Sequence, residues 1–230
     1  SVTTLTHQLH NFGLTNWKIK TPLEYLLNNL NDRNWADGRG KPWKEAKKEG
    51  IWKAALESPA KVSMEAANLG TEIHKAIDHH CSGEPPSLPT EQHKIAFEAW
   101  KAWCKDHDFT PLVNEMVVYH SEEGYAGTMD CIAMIDGKVT VMDWKTTSSD
   151  THRIYPDHLM QAAAYMGAAS NMILDGEMKC DVPEAFGVLS LHVITGKMKC
   201  KIIGLEESDK YYDAFKGLIP YWRLMNPKKV

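Results

Sequence analysis

A chain of 230 residues with 43% hydrophobic and 24% charged content has the composition of an ordinary globular protein, and it is long enough to bury one sizeable core. Its formal net charge of −4 excludes a surface coated throughout in basic residues, although a local basic groove stays open. No apolar run reaches the roughly 18 residues that span a bilayer, and the opening Ser1-Val2-Thr3-Thr4 carries neither the charged region nor the apolar stretch of a secretory signal.

One domain over residues 1–230 is expected, with a polar, helical N-terminal region over 1–60. Thr21-Pro22 reads as the entry to a short helix through about Asn31, since proline suits the first helical position. Asp37-Gly38-Arg39-Gly40-Lys41-Pro42 is a loop by its turn residues, and 43–57 reads as a charged helix. Val62, Ala66, Leu69, Ile73 and Ile77 fall at helical spacing and predict a helix from about Lys61 to His80. Pro85-Pro86 and Pro89 separate it from another helix over Thr90 to about Asp106.

From Pro111 the pattern becomes that of strands. Leu112–Tyr119, Gly127–Ile135 and Lys138–Trp144 are rich in β-branched residues and are divided by glycine turns, with Asp136-Gly137 the strongest hairpin signal. A helix from about Tyr155 to Leu174 follows, then strands near 185–194 and 198–205 and a last helix after Glu206 to about Met225. This order predicts an α/β domain with a central mixed sheet flanked by helices.

The chemistry concentrates around that first hairpin. Asp143 and Lys145 are two apart on a strand and project to one face, and the turn at Asp136-Gly137 returns the strand so that Asp130 can lie opposite Asp143. Two adjacent carboxylates repel unless a cation sits between them, and oxygen-seeking Mg²⁺ or Mn²⁺ suits such ligands. Asp-x-Lys on a strand, taken alone, is more commonly a solvated face carrying a cross-strand ion pair. The cysteines at 81, 104, 131, 180 and 200 show no zinc or iron–sulfur spacing, so reduced thiols and no iron–sulfur cluster are expected.

Asp130, the hairpin, and Val-Met-Asp143-Trp-Lys145-Thr-Thr-Ser together resemble the PD-(D/E)XK nuclease superfamily in its RecB-like branch. They are most similar there to the mitochondrial genome maintenance exonucleases and their phage relatives. Further elements match in order over roughly residues 60–170. Gly70-Thr-Glu-Ile-His74 resembles the branch's Gly-x-x-x-His helix, whose histidine ligates metal. Glu115 falls where relatives often carry another acid, and Gln161-Ala-Ala-Ala-Tyr165 resembles the Gln-x-x-x-Tyr element that contacts DNA. Ser1-Val-Thr-Thr is similar to the opening of many members.

The resemblance implies a restriction-endonuclease-like core and a metal-dependent deoxyribonuclease. Asp130, Asp143 and Lys145 would be its catalytic centre, His74, Asp130 and Asp143 its metal ligands, and Gln161 and Tyr165 its DNA contacts. Read as isolated residues, His74 also fits a satisfied core histidine, Gln161 and Tyr165 a surface pair, and Glu115 a solvent-facing strand residue.

Trp35, Trp43 and Trp52 are interleaved with Arg39, Lys41, Lys44, Lys47, Lys48 and Lys53. That pattern suits a single strand, because bases stack on aromatics while cations follow phosphates; it equally suits an amphipathic helix with inward tryptophans. The expectation is an exonuclease on single-stranded DNA ends, in replication, recombination or repair, with no membrane association. A DNA-binding accessory protein and a site-specific endonuclease are the alternatives. Reduced cysteines and missing signals suit a cytoplasmic protein, in a bacterial host if phage-encoded, or a processed mitochondrial matrix protein.

Overall fold

The structure is a computed structural model and describes residues 1–6, 12–30 and 50–227. The chain packs as two units, one of Ser1–Leu9 with Gly70–Val230 and one of His10–Leu69. In the smaller unit, α2 (Phe12–Leu30) begins earlier than its proline predicted and carries Pro22 in its interior. The proline ring removes one backbone hydrogen bond, and Thr21 Oγ1 bonds to the Trp17 carbonyl at 2.9 Å beside that break. Helix α3 (Ile51–Cys81) likewise runs through Pro59, so the two helices expected between 43 and 80 are one from Ile51 onward. Ser58 Oγ donates to the Ala55 carbonyl at 2.7 Å just before that proline. Lys41, Trp43 and Lys44 lie outside the described residues, as do Trp35, Arg39, Lys47 and Lys48. Trp52 and Lys53 are described on α3, where Lys53 pairs with Glu57 at 3.9 Å.

The larger unit is built on five strands: β1 (Thr110–His120), β2 (Tyr125–Ile135), β3 (Lys138–Thr147), β4 (Ala185–His192) and β5 (Met198–Gly204). They lie in the order β1-β2-β3-β4-β5, antiparallel except for the parallel pair β3/β4. The mixed sheet expected from the sequence is present. Asp136 and Gly137 turn the central hairpin at φ +48 and +78, the left-handed geometry that this dipeptide favours. Helix α5 (Pro156–Leu174) makes the crossover that a parallel pair requires.

Alternation decides what each face meets. Val139 and Val141 of β3 join Phe186 and Val188 of β4 in one core with Leu159, Ala162, Ala163 and Met166 of α5. Phe215 and Ile219 of α6 (Leu205–Met225) and Val2 and Leu5 of α1 (Val2–Thr6) complete that layer. Trp144 points to the other face, where it meets Trp100 and Trp103 of α4 (Glu91–Asp106) edge-on at 6.2 Å. The sheet is thus covered on both faces, and the odd residues of β3 carry Asp143 and Lys145 onward from the core of the α5 layer.

Candidate metal centre

Register brings the acids together. The pair Cys131↔Met142 is the last in the β2/β3 ladder, and one further step sets Asp130 opposite Asp143. On the other side, Asn114↔Cys131 and Met116↔Met129 bracket Glu115 and Asp130, so Glu115 lies opposite Asp130 as well. Directly opposite residues share a face, which gives a row of three acids across three strands. Glu115 holds φ +43, an uncommon value for a side chain other than glycine, and one that marks a locally strained strand position.

His74 reaches this row from α3. Its Nδ1 lies 3.2 Å from Asp130 Oδ1, while the Trp144 backbone N–H donates to Asp130 Oδ2 at 2.7 Å. One nitrogen of His74 and one oxygen each of Glu115 and Asp130 lie within 4.8 Å of one another. Gly70 makes that approach feasible: a Cβ there would stand 2.9 Å from Thr146 Oγ1 at the end of β3. Asp143 is outside this trio. Its Oδ2 sits 2.5 Å from Lys145 Nζ, an ion pair that joins this buried carboxylate to the ammonium.

The electrostatics follow from burial and crowding. Burial raises the Asp143 carboxyl to about 6, with Lys145 opposing and Asp130 adding to the rise. Burial would also raise Asp130, but the charge and hydrogen bond of His74 and the charge of Lys145 bring it below the usual range. His74 and Lys145 are held above their ordinary values, because their carboxylate neighbours outweigh the burial that opposes their charge. Burial and the Asp130 charge raise Glu115.

The donor set fits a hard divalent cation. Carboxylate oxygens and one imidazole nitrogen, all within 4.8 Å of one another, are its ligand types. Among the described residues this trio is the one such group, and it contains no cysteine.

Comparison with known proteins gives partial likenesses. No family model matches the chain. Mitochondrial genome maintenance exonuclease 1 of Mus musculus is 30% identical over 108 residues, 44% of this chain and 31% of its own length. The Homo sapiens protein of that name is 39% identical over 59 residues, 25% of this chain and 17% of its own. The matched stretch is less than a third of either relative. Among solved structures, the crystal structure of SSO0001 covers 93% of this chain and 87% of its own at 15% identity. Its TM-score of 0.37 is too low to bear on fold or function.

Gln161 and Tyr165 share a face of α5, and the Lys145 charge reaches Tyr165. Gln161 Nε2 donates to the Tyr165 hydroxyl at 2.9 Å and to Thr3 Oγ1 at 3.3 Å. Burial raises the Tyr165 phenol; the Gln161 and Thr3 hydrogen bonds oppose that rise, and the charges of Asp143 and Lys145 also reach it. Two neighbours escaped the sequence reading. Thr3 was seen only within a resembling opening, and His158 was not singled out at all. His158 stands three residues before Gln161 on α5, the spacing that shares a helix face, and that spacing could have found it.

Proposed function

We propose that this chain is a metal-dependent DNA nuclease of the PD-(D/E)XK kind, acting as an exonuclease on single-stranded ends. The observation that carries the reading is the convergence of His74, Glu115 and Asp130 beside the buried Asp143, itself paired with the half-buried Lys145. The partial likeness to mitochondrial genome maintenance exonuclease 1 supports a nuclease family and DNA as substrate. Among the described residues no helix is long and apolar enough to cross a membrane.

His74, Asp130 and Asp143 would hold Mg²⁺ or Mn²⁺, with Glu115 a further donor. When bound, such an ion polarises a phosphate oxygen and makes water a stronger nucleophile. Trp144 N–H fixes one oxygen of Asp130 and thereby its orientation. Lys145 keeps its proton on Nζ, because Asp143 and Asp130 stabilise the ammonium; it would orient the attacking water and offset charge growing on the phosphate. Gln161 and Tyr165 position each other and would hold the strand beside Lys145.

The test is digestion of end-labelled linear single-stranded DNA and of a covalently closed circle, in Mg²⁺, Mn²⁺ or EDTA. Wild type would run beside Lys145→Ala and Asp143→Asn. Metal-dependent loss of the linear strand alone is expected, with activity reduced at least about a hundredfold in both variants. Cutting of the circle would reassign the chain to the endonucleases. Binding without cleavage would make it an accessory protein.

A further inference from the structure

His158 is a half-buried histidine on α5, outside the group of possible metal ligands. It opens the face that continues through Gln161 and Tyr165, three and seven residues on. Two backbone groups define it. The Tyr155 N–H points at His158 Nδ1 from 3.5 Å, and the His158 N–H donates to the Tyr155 carbonyl at 3.1 Å. With Nδ1 as the acceptor of a neutral imidazole, the ring proton sits on Nε2, which is left as a donor. Burial first and the Lys145 charge second lower its pKa to about 4, against the pull of Asp157, so the ring stays neutral at working pH.

Tyr155 stands next to it, 41% exposed, with its ring perpendicular to the imidazole at a centroid distance of 5.4 Å. The first turn of α5 therefore presents an accessible aromatic ring and a neutral N–H donor within electrostatic reach of Lys145. The nuclease chemistry described above uses neither group. A single strand offers the two matching features, an unpaired base for the ring and phosphate oxygens for the donor.

We propose that Tyr155 and His158 form a nucleotide-contacting pair: the Nε2–H of His158 donates to a phosphate oxygen of the strand entering the site, and Tyr155 carries an unpaired base. This rests on the nucleic-acid reading above and extends it by naming what selects an unpaired end. A duplex keeps its bases stacked and gives Tyr155 nothing to hold.

The experiment measures binding of a dye-labelled single-stranded oligonucleotide by anisotropy, with Ca²⁺ replacing Mg²⁺, and steady-state cleavage in Mg²⁺. His158→Ala and Tyr155→Ala should each raise Kd and KM about tenfold, with kcat within about twofold. His158→Gln, whose amide restores a donor, and Tyr155→Phe, which keeps the ring, should stay within about twofold of wild type in all three. Duplex binding should change less than about twofold in the Tyr155 variants, whereas His158→Ala weakens both forms because both carry phosphates. Melting curves accompany each protein, and if an alanine variant fails to fold, His158→Leu and Tyr155→Leu, which keep bulk but no donor and no ring, must show the same rise in Kd. Wild-type Kd in both alanine variants would overturn the pair, as would equal losses for duplex and single strand in Tyr155→Ala. A wild-type protein that binds but does not cleave would overturn the nuclease reading alone, because the binding arm still tests the contact.

Discussion

A methyl group on Gly70 would meet Thr146 Oγ1 at 2.9 Å, closer than real side chains stand. Gly70 and His74 are one helical turn apart, so whatever moves Gly70 away from the sheet also moves the His74 ring away from Asp130. Two effects oppose each other in Gly70→Ala. Alanine favours the helix by about 1 kcal/mol, and the collision displaces it. Stability should therefore change little, within about 1 kcal/mol, while Mn²⁺ affinity falls about tenfold as the ligand spacing widens. Thr146→Ala in the same chain removes the colliding hydroxyl and should restore most of the loss. Calorimetric titration of the two single variants and the double variant checks this; additive losses would remove the close approach as the cause.

At the scale of elements, α1 is held by the apolar contacts of Val2 and Leu5 and by the Thr3–Gln161 hydrogen bond. Val2 is fully buried, and a Cβ on Gly127 of β2 would lie 3.2 Å from its Cγ2 and 2.7 Å from Tyr165 Cε1. Gly127→Ala must push α1, Tyr165 or both outward, at about 1–3 kcal/mol for overpacking. For a chain of this size that corresponds to a fall in Tm of about 3–10 °C by differential scanning calorimetry. Gly137→Ala, at φ +78 with open space around it, should cost only backbone strain and leave Tyr165 undisturbed. Cleavage should therefore fall in the first variant well beyond the second.

These elements also mark what was legible. Hairpin and alternation were readable because Asp136-Gly137 and the β-branched runs act locally; hence the Asp130–Asp143 register was visible from the sequence. The Thr3–Gln161 contact joins residues 158 positions apart, and no local pattern encodes it. Helix bounds failed at Pro22 and Pro59, where the flanking residues sustain a helix through a proline that propensity alone places at a terminus. The left-handed backbone of Glu115 had no sequence signal either, because glutamate is not a residue chosen for that conformation.

For the whole molecule, the centre couples stability to pH and to metal. The folded Asp143 carboxyl titrates near 6, above the ordinary 3.8, so its protonated form is favoured by folding. Its contribution is fully present below about pH 4 and is lost as pH rises through 6. His74, also raised, follows the same sign: its protonated form is stabilised by Asp130, and that gain disappears as pH rises above its folded value. Asp130 runs the other way, lowered in the fold, and loses its contribution only in acid. In EDTA, Asp143 and His74 therefore both weaken the site as the solution goes from pH 5 to 8. A cation needs both without their protons, so metal and protons compete, and the metal-induced gain must grow over that same interval. At a hundred times Kd, ligand binding adds about 2.7 kcal/mol, or roughly 5–10 °C in Tm for a chain of this size. Scanning calorimetry with Mn²⁺ and with EDTA should show that difference at pH 8 and little of it at pH 5. Asp130→Asn should abolish it at both. A Mn²⁺ increment independent of pH, or one that survives Asp130→Asn, would place the ion elsewhere than beside these residues.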